Sequence, residues 1–355
     1  MIYEKGSADD EEKDRNSNIL KTSFRNHSVL RCSLILLLMV ILFLSVGCAH
    51  HIPIATDSVQ AIYIAPENEK DILHRFAPVF RVYDYNYRYN RIGSPVAVQK
   101  KDGGELISID TKHPVIYVGK KSFSTPKGTY TNLIYRIHFP AIPFSLVPFN
   151  LTAGKNPGLM IFITLNQQEE PVLVTSVHTC GCYKALVATT ALPKAALPTE
   201  RQKKPDSLNV YGELLPAVID YQAYAHPRLL VDLRPGVHRV MNLQIIDAKA
   251  LESLPSQTVL KIPFEPRENL KRLRINGHET SFFRQEGIMK GHVKGAIKPL
   301  ETLLMSWLSL DLFVGTDKTY GSDDNPFYTS LKPWNRRRSD MNDFTRFLDF
   351  WGWGL

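Results

Sequence analysis

Cysteine is scarce in this chain, with four in 355 residues, and only Cys180 and Cys182 follow residue 48. That excludes a scaffold held together by disulfides. Neither Gly-x-Ser-x-Gly nor His-Glu-x-x-His occurs, which removes the commonest serine-hydrolase and zinc-protease signatures. "TAGKNPG" (152–158) contains Gly-Lys but lacks the upstream glycine and the following Ser or Thr of a phosphate loop. No recognition helix, RNA-binding sheet or zinc-finger spacing is present, so nucleic acid is not expected as a partner. Internal repeats and low-complexity tracts are also lacking. The apolar run at 33–47 falls short of the roughly 20 residues that a membrane-spanning helix needs.

That run has the length of a secretory signal core, and Lys21, Arg25 and Arg31 place positive charge ahead of it. It ends in Leu44-Ser45-Val46-Gly47-Cys48. This ending resembles the lipobox of bacterial lipoproteins, in which a small residue directly precedes the cysteine. Ser45 departs from the pattern, since Leu is more usual there. The resemblance covers residues 1–48 alone. It implies a signal peptide over 1–47, cleavage after Gly47 and a diacylglycerol and palmitate anchor on Cys48, followed by a tether over 48–57. Ala49 implies an outer-membrane address, because Asp at that position favours inner-membrane retention. The acidic stretch "SADDEEKDR" (7–15) is foreign to such leaders, and translation from Leu20 or Val29 would leave a compact basic one. The competing reading is an uncleaved single-span anchor. Two or more acyl chains hold a protein at a bilayer, whereas one chain binds reversibly.

The chain carries 43 basic and 35 acidic side chains. The excess is thinly spread, with its densest points at Arg336-Arg337-Arg338, Lys203-Lys204 and Lys100-Lys101. A solvated surface explains most of it, and attraction to anionic headgroups is the functional alternative.

Residues 58–192 read as a β-rich body. "AIYIA", "VFRVYD", "PVIYV", "NLIYRIHF", "LMIFITL" and "PVLVTSVHT" are rich in β-branched and aromatic residues. "DGG", "TPKG" and "GKNPG" supply the turns between them. A polar loop over 193–209 precedes a second β segment with C-terminal helices over 210–355, expected to pack on the same body. Two stretches change to helical period. In "KPLETLLMSWLSLDLF" the residues Leu300, Leu303, Leu304, Trp307, Leu308 and Leu310 fall mainly on one helical face, and Pro299 suits an early helical position. Phe344, Phe347, Leu348 and Trp351 form a second stripe, capped by Ser339 or Asp340 and expected in the core. The fold class expected is mainly β with C-terminal helices (α+β), built as an antiparallel sheet or sandwich.

Candidate chemistry centres on His178-Thr179-Cys180-Gly181-Cys182 at a strand end. Alternation along a strand places His178, Cys180 and Cys182 on one face, and two donors at i and i+2 stand ~6.6 Å apart, within reach of one zinc ion. His138 is the first candidate fourth donor, lying with Asn132, Ile134 and Arg136 on one face of its strand. His138 and His178 would meet if the two strands are neighbours. His113, His226 and His238 are weaker candidates. The same residues also read as a packed strand end with two small buried thiols, or as a short Cys180–Cys182 disulfide. Asp311, Asp317, Asp323 and Asp324 match no calcium loop and read as a solvated turn. Two function classes result. One is a non-enzymatic envelope component that binds an unknown envelope protein or ligand, favoured because no complete catalytic constellation can be assembled. The other is a metal- or thiol-dependent enzyme at the His138, His178, Cys180 and Cys182 cluster, with zinc as the possible cofactor.

Overall fold

Strand 158–165 ("GLMIFITL") is apolar without alternation, and it is buried along its whole length. A strand of that kind must be covered on both faces. The computed structural model supplies both covers, and it describes residues 54–68, 70–146, 149–203, 207–253, 258–322 and 325–355. The signal region, Cys48 and most of the tether lie outside the described residues.

Twelve strands build two sheets. In chain order they are β1 (Ala61–Ile64), β2 (Val79–Val82), β3 (Ile116–Thr125), β4 (Gly128–His138), β5 (Gly158–Leu165) and β6 (Pro171–His178). Then follow β7 (Ala185–Thr189), β8 (Val218–Ile219), β9 (Pro227–Leu233), β10 (Val240–Asp247), β11 (Thr258–Lys261) and β12 (Phe264–Pro266). A seven-stranded sheet has the order β8-β7-β6-β5-β4-β3-β12, and a five-stranded sheet the order β10-β9-β2-β1-β11. The central run β3 to β7 is antiparallel throughout. Later strands join in parallel: β8 and β12 flank that run, β9 pairs with β2, and β11 pairs with β1. The chain beyond 209 therefore completes sheets begun before 192, and everything described from Ile54 onward falls in one compact unit.

The expected alternation in β4 is observed. Leu133, Tyr135, Ile137 and Phe139 join Phe80, Val231 and Leu243 of the other sheet in the inter-sheet core. Ile134 points the other way, into a second core with Met160, Phe162, Phe344, Phe347 and Leu348. The C-terminal helix Phe344–Phe350 thus covers the outer face of the seven-stranded sheet, with its aromatic stripe in the core as expected. Its cap is Asp343, whose side chain accepts from the Arg346 amide, rather than Ser339 or Asp340. Helix Pro299–Ser309 begins at the expected proline. No described helix is long and apolar enough to cross a membrane.

Candidate functional site: a divided polar cluster

Directly paired residues in a sheet project from the same face, and neighbours along a strand from opposite faces. β5 lies between β4 and β6, so the strands bearing His138 and His178 are not adjacent. His178 pairs with Leu159, which pairs with Ile137, and that row faces the inter-sheet core. His138 pairs with Gly158, whose carbonyl accepts from the Thr179 amide at 2.9 Å, so the next row faces outward. A one-residue offset in register therefore puts the two histidines on opposite faces. The condition on which His138 and His178 would meet, adjacent strands, is not fulfilled.

On the outer face, Gly158 makes room for the row. A Cβ there would lie 2.7 Å from Thr179 Oγ1 and 2.9 Å from His138 Nδ1. Arg136 Nε donates to His138 Nε2 at 3.0 Å, and Arg136 Nη1 donates to the Lys318 carbonyl at 3.2 Å. Burial lowers the Arg136 guanidinium to about 9 and holds His138 well below the usual imidazole range. His138 is therefore a neutral acceptor.

The centre of this face is an ion pair that the sequence did not suggest. Lys298 Nζ donates to Asp317 Oδ1 at 3.1 Å, and both side chains are 0 % exposed. Asp317 Oδ2 accepts from the Gly158 amide at 2.8 Å and from the Thr179 hydroxyl. The carboxylate thus ties the end of β5, the 178–182 turn and the segment after the Pro299–Ser309 helix to one another. Desolvation alone would lower the Lys298 ammonium. Asp317, with the Cys180, Glu301 and Cys182 side chains, outweighs it and holds the ammonium well above its usual range. The solvated-turn reading of Asp317 is corrected here, since a carboxylate this deep persists only when paired and hydrogen-bonded. Asp311 is half-buried and accepts from the Tyr328 hydroxyl at 2.5 Å. Asp323 and Asp324 lie outside the described residues.

The Cys180–Cys182 turn closes between these faces. The Gly181 amide donates to the His178 carbonyl at 2.7 Å, and the His178 amide to the Cys182 carbonyl at 2.9 Å. Gly181 has φ +94°, and a Cβ on it would overlap the Tyr328 carbonyl oxygen. Both thiols are free, so the short disulfide is not formed. The Cys182 amide reaches Cys180 Sγ at 3.4 Å, and Cys182 Sγ reaches Glu301 Oε1 at 3.3 Å. Burial pushes the Cys180 thiol up, but a hydrogen bond from Cys182 and the Lys298 charge outweigh it and leave the thiol below its usual value. Donating that bond, with burial and the Glu301 carboxylate, raises Cys182 well above its own.

On the inter-sheet face, the His178 ring meets the Tyr183 ring edge-on at 4.8 Å, beside the His238 backbone carbonyl. Burial, then the Lys298 and Arg239 charges, lower it to about 3. His238, the weaker candidate, is the neighbour that His178 has: it stacks on Phe139 at 4.0 Å and is also lowered to about 3, first by burial and then by His178. His113 is exposed and bonded to Asp110 at 2.7 Å. Among the described residues, no group of three or more His, Cys, Asp or Glu side chains is placed to hold a metal ion. The geometry instead offers a weakly acidified thiol behind a buried ammonium, plus neutral histidines serving as packing and acceptor groups. A separate cavity of about 800 Å³ is lined by Glu67, Arg75, Glu169, His226, Arg228 and Lys249, near the opposite end of β6.

Sequence reasoning missed Lys298 and Glu301, and it ranked His238 below His138 as a neighbour for His178. Lys298 carried one available signal: it directly precedes the proline that opens a helix, a position fixed by the fold rather than by solubility. No protein-family model, curated protein or solved structure matches the chain.

Proposed function

We propose that this chain is a bacterial envelope lipoprotein, held at the outer membrane by acyl chains on Cys48, whose β-rich body is a non-enzymatic binding or structural component. The observation that supports the non-enzymatic part is that the chemically capable groups are used up within the fold. Lys298 and Asp317 have no exposed surface, and their hydrogen bonds join the sheet to the segment that covers it. Cys180 is itself buried, so a substrate would have to open the fold to reach it. The mixed-charge cavity between Glu67, Arg75, Glu169 and Arg228 is the open concavity through which such a body would take a ligand or partner.

Mass spectrometry of the mature N-terminus in the native host tests the anchor. A diacylglyceryl Cys48 with nothing upstream is expected, and Cys48→Ser should abolish it. An intact, unlipidated N-terminus upstream of Gly47 overturns the reading.

A thiol-dependent enzyme is the second reading, favoured by the Cys180 thiol, which the Cys182 hydrogen bond and the Lys298 charge hold below its usual pKa. Rapid stoichiometric alkylation of Cys180 in the folded protein would favour it over the first.

A further inference from the structure

Helix Pro299–Ser309 is amphipathic in the reverse sense to a core helix. It buries Glu301 and Ser309, while Leu303 and Trp307 are 71 % and 64 % exposed. The reversal continues past its end, where Leu310 and Leu312 are 73 % and 70 % exposed. Leu310 closes the helix at φ +49°, a left-handed conformation where glycine or asparagine is the ordinary choice. A large apolar side chain is thus held outward where a small polar one would be easier to build.

The apolar surface extends to both sides through contacts within the fold. Ile142 pairs with Gly154, and Gly154 packs against the Ile297 backbone just before the helix; Phe144 and Leu146, two and four residues beyond Ile142, are exposed. At the other end Arg336 donates to the Ser309 carbonyl, bringing exposed Trp334 beside the helix terminus. Large apolar side chains exposed together on one helix face and its surroundings mark a contact surface. Its composition indicates the occupant. Two tryptophans suit a membrane interface, where the ring is buried and the indole N–H stays wet. The exposed charged side chains on its flanks at 155, 332, 337 and 338 are lysines and arginines. Anionic headgroups complement that rim. A two-fold contact with a second copy would instead set one basic rim against the other.

We propose that the face bearing Leu303, Trp307, Leu310 and Leu312 seats this protein on an anionic phospholipid bilayer. The physiological side of this inference rests on the Cys48 anchor proposed above. Five residues lie between Cys48 and Ile54, six steps along the chain and a reach of at most about 20 Å. The acylated cysteine would therefore hold the body within contact distance of headgroups.

The test uses the body from Ala49 onward, unacylated, since this part has its own cores. It is floated with vesicles of phosphatidylcholine alone and of phosphatidylcholine with phosphatidylglycerol. Flotation with the anionic vesicles, weakened by salt, is expected, with a blue shift in tryptophan emission. Leu303→Ser with Trp307→Ser should reduce partitioning at least about tenfold while leaving the thermal melt unchanged. Absence of flotation, equal binding to both vesicles or binding unaffected by the double variant overturns the proposal. So does a dimer in solution that the double variant converts to monomer, because a second copy then covers the face. These outcomes do not depend on lipidation, so failure of the Cys48 reading would be seen separately in the mass spectrum of the native N-terminus.

Discussion

His138 and His178 stand in adjacent rows of one sheet and project from opposite faces of it. One intervening strand and a register offset of a single residue are enough to separate them completely, because the side-chain period of a strand is two. The consequence is two polar regions with different roles. The His138 side holds the segment after the Pro299–Ser309 helix through Asp317, and the His178 side is a neutral ring packed between sheets.

The Lys298–Asp317 pair should behave as a buried brace. Removing one partner leaves the other charged, unpaired and out of reach of water, which costs about 3–5 kcal/mol. Lys298→Met and Asp317→Leu are each expected to destabilise by that order in urea denaturation. The double variant should lose clearly less than the sum of the two, since neither charge then remains. Additive losses would show that the pair does not couple.

Stability should fall on mild acidification. In the unfolded chain an imidazole takes a proton below about 6.5. His178 and His238 in the folded chain do so only near 3. Between those values the unfolded state binds more protons, so each ring's contribution is intact above pH 6.5 and is lost as pH drops towards 3. From pH 6.5 to 4.5 the two rings together should remove roughly 4–5 kcal/mol of unfolding free energy. The lowered carboxylates of Asp71, Asp110 and Asp311 titrate below that window. His138 and His292 are lowered in the same sense, so His178→Gln with His238→Gln should reduce the pH dependence of urea midpoints over that range without abolishing it.

Local pattern carried much of the fold. Alternation in "NLIYRIHF" assigned Leu133, Tyr135 and Ile137 to one face and Asn132, Ile134 and Arg136 to the other, as the two cores divide them. Pro299 and the Phe344–Leu348 spacing located both longer helices. Register was not legible, because it is decided between strands rather than within one. Nor was the orientation of the Pro299–Ser309 helix: periodicity says that an apolar stripe exists, not which way it faces. Asp317 reads as a turn residue in sequence and is buried only because Lys298, nineteen positions earlier, returns to meet it.

Gly181→Ala should be severe. The position has φ +94°, where L residues are strained, and the new methyl would overlap a backbone oxygen, that of Tyr328, rather than a flexible side chain. Strain and overpacking together should cost about 2–4 kcal/mol, read as a lowered urea midpoint or loss of soluble protein. Gly236→Ala is the control. Gly236 has a similar φ of +80° with nothing within 4 Å of its added Cβ, so backbone strain acts alone and the loss should be about 1–2 kcal/mol.

Thiol labelling distinguishes acidity from access. Cys180 is acidified by Cys182 and Lys298, yet it is buried; Cys182 is partly open, yet its thiol is raised well above the usual range. Each sulfur therefore lacks one of the two requirements for fast alkylation, thiolate character and exposure. With iodoacetamide at pH 8, both should react at least about a hundredfold more slowly in the folded protein than in urea, where both requirements are restored. Lys298→Met should slow neither rate further if opening of the fold limits the reaction. Peptide mass mapping with time separates the two cysteines. Fast labelling of Cys180 in the native state would mean that the fold around it opens readily, and the thiol would then be free for chemistry.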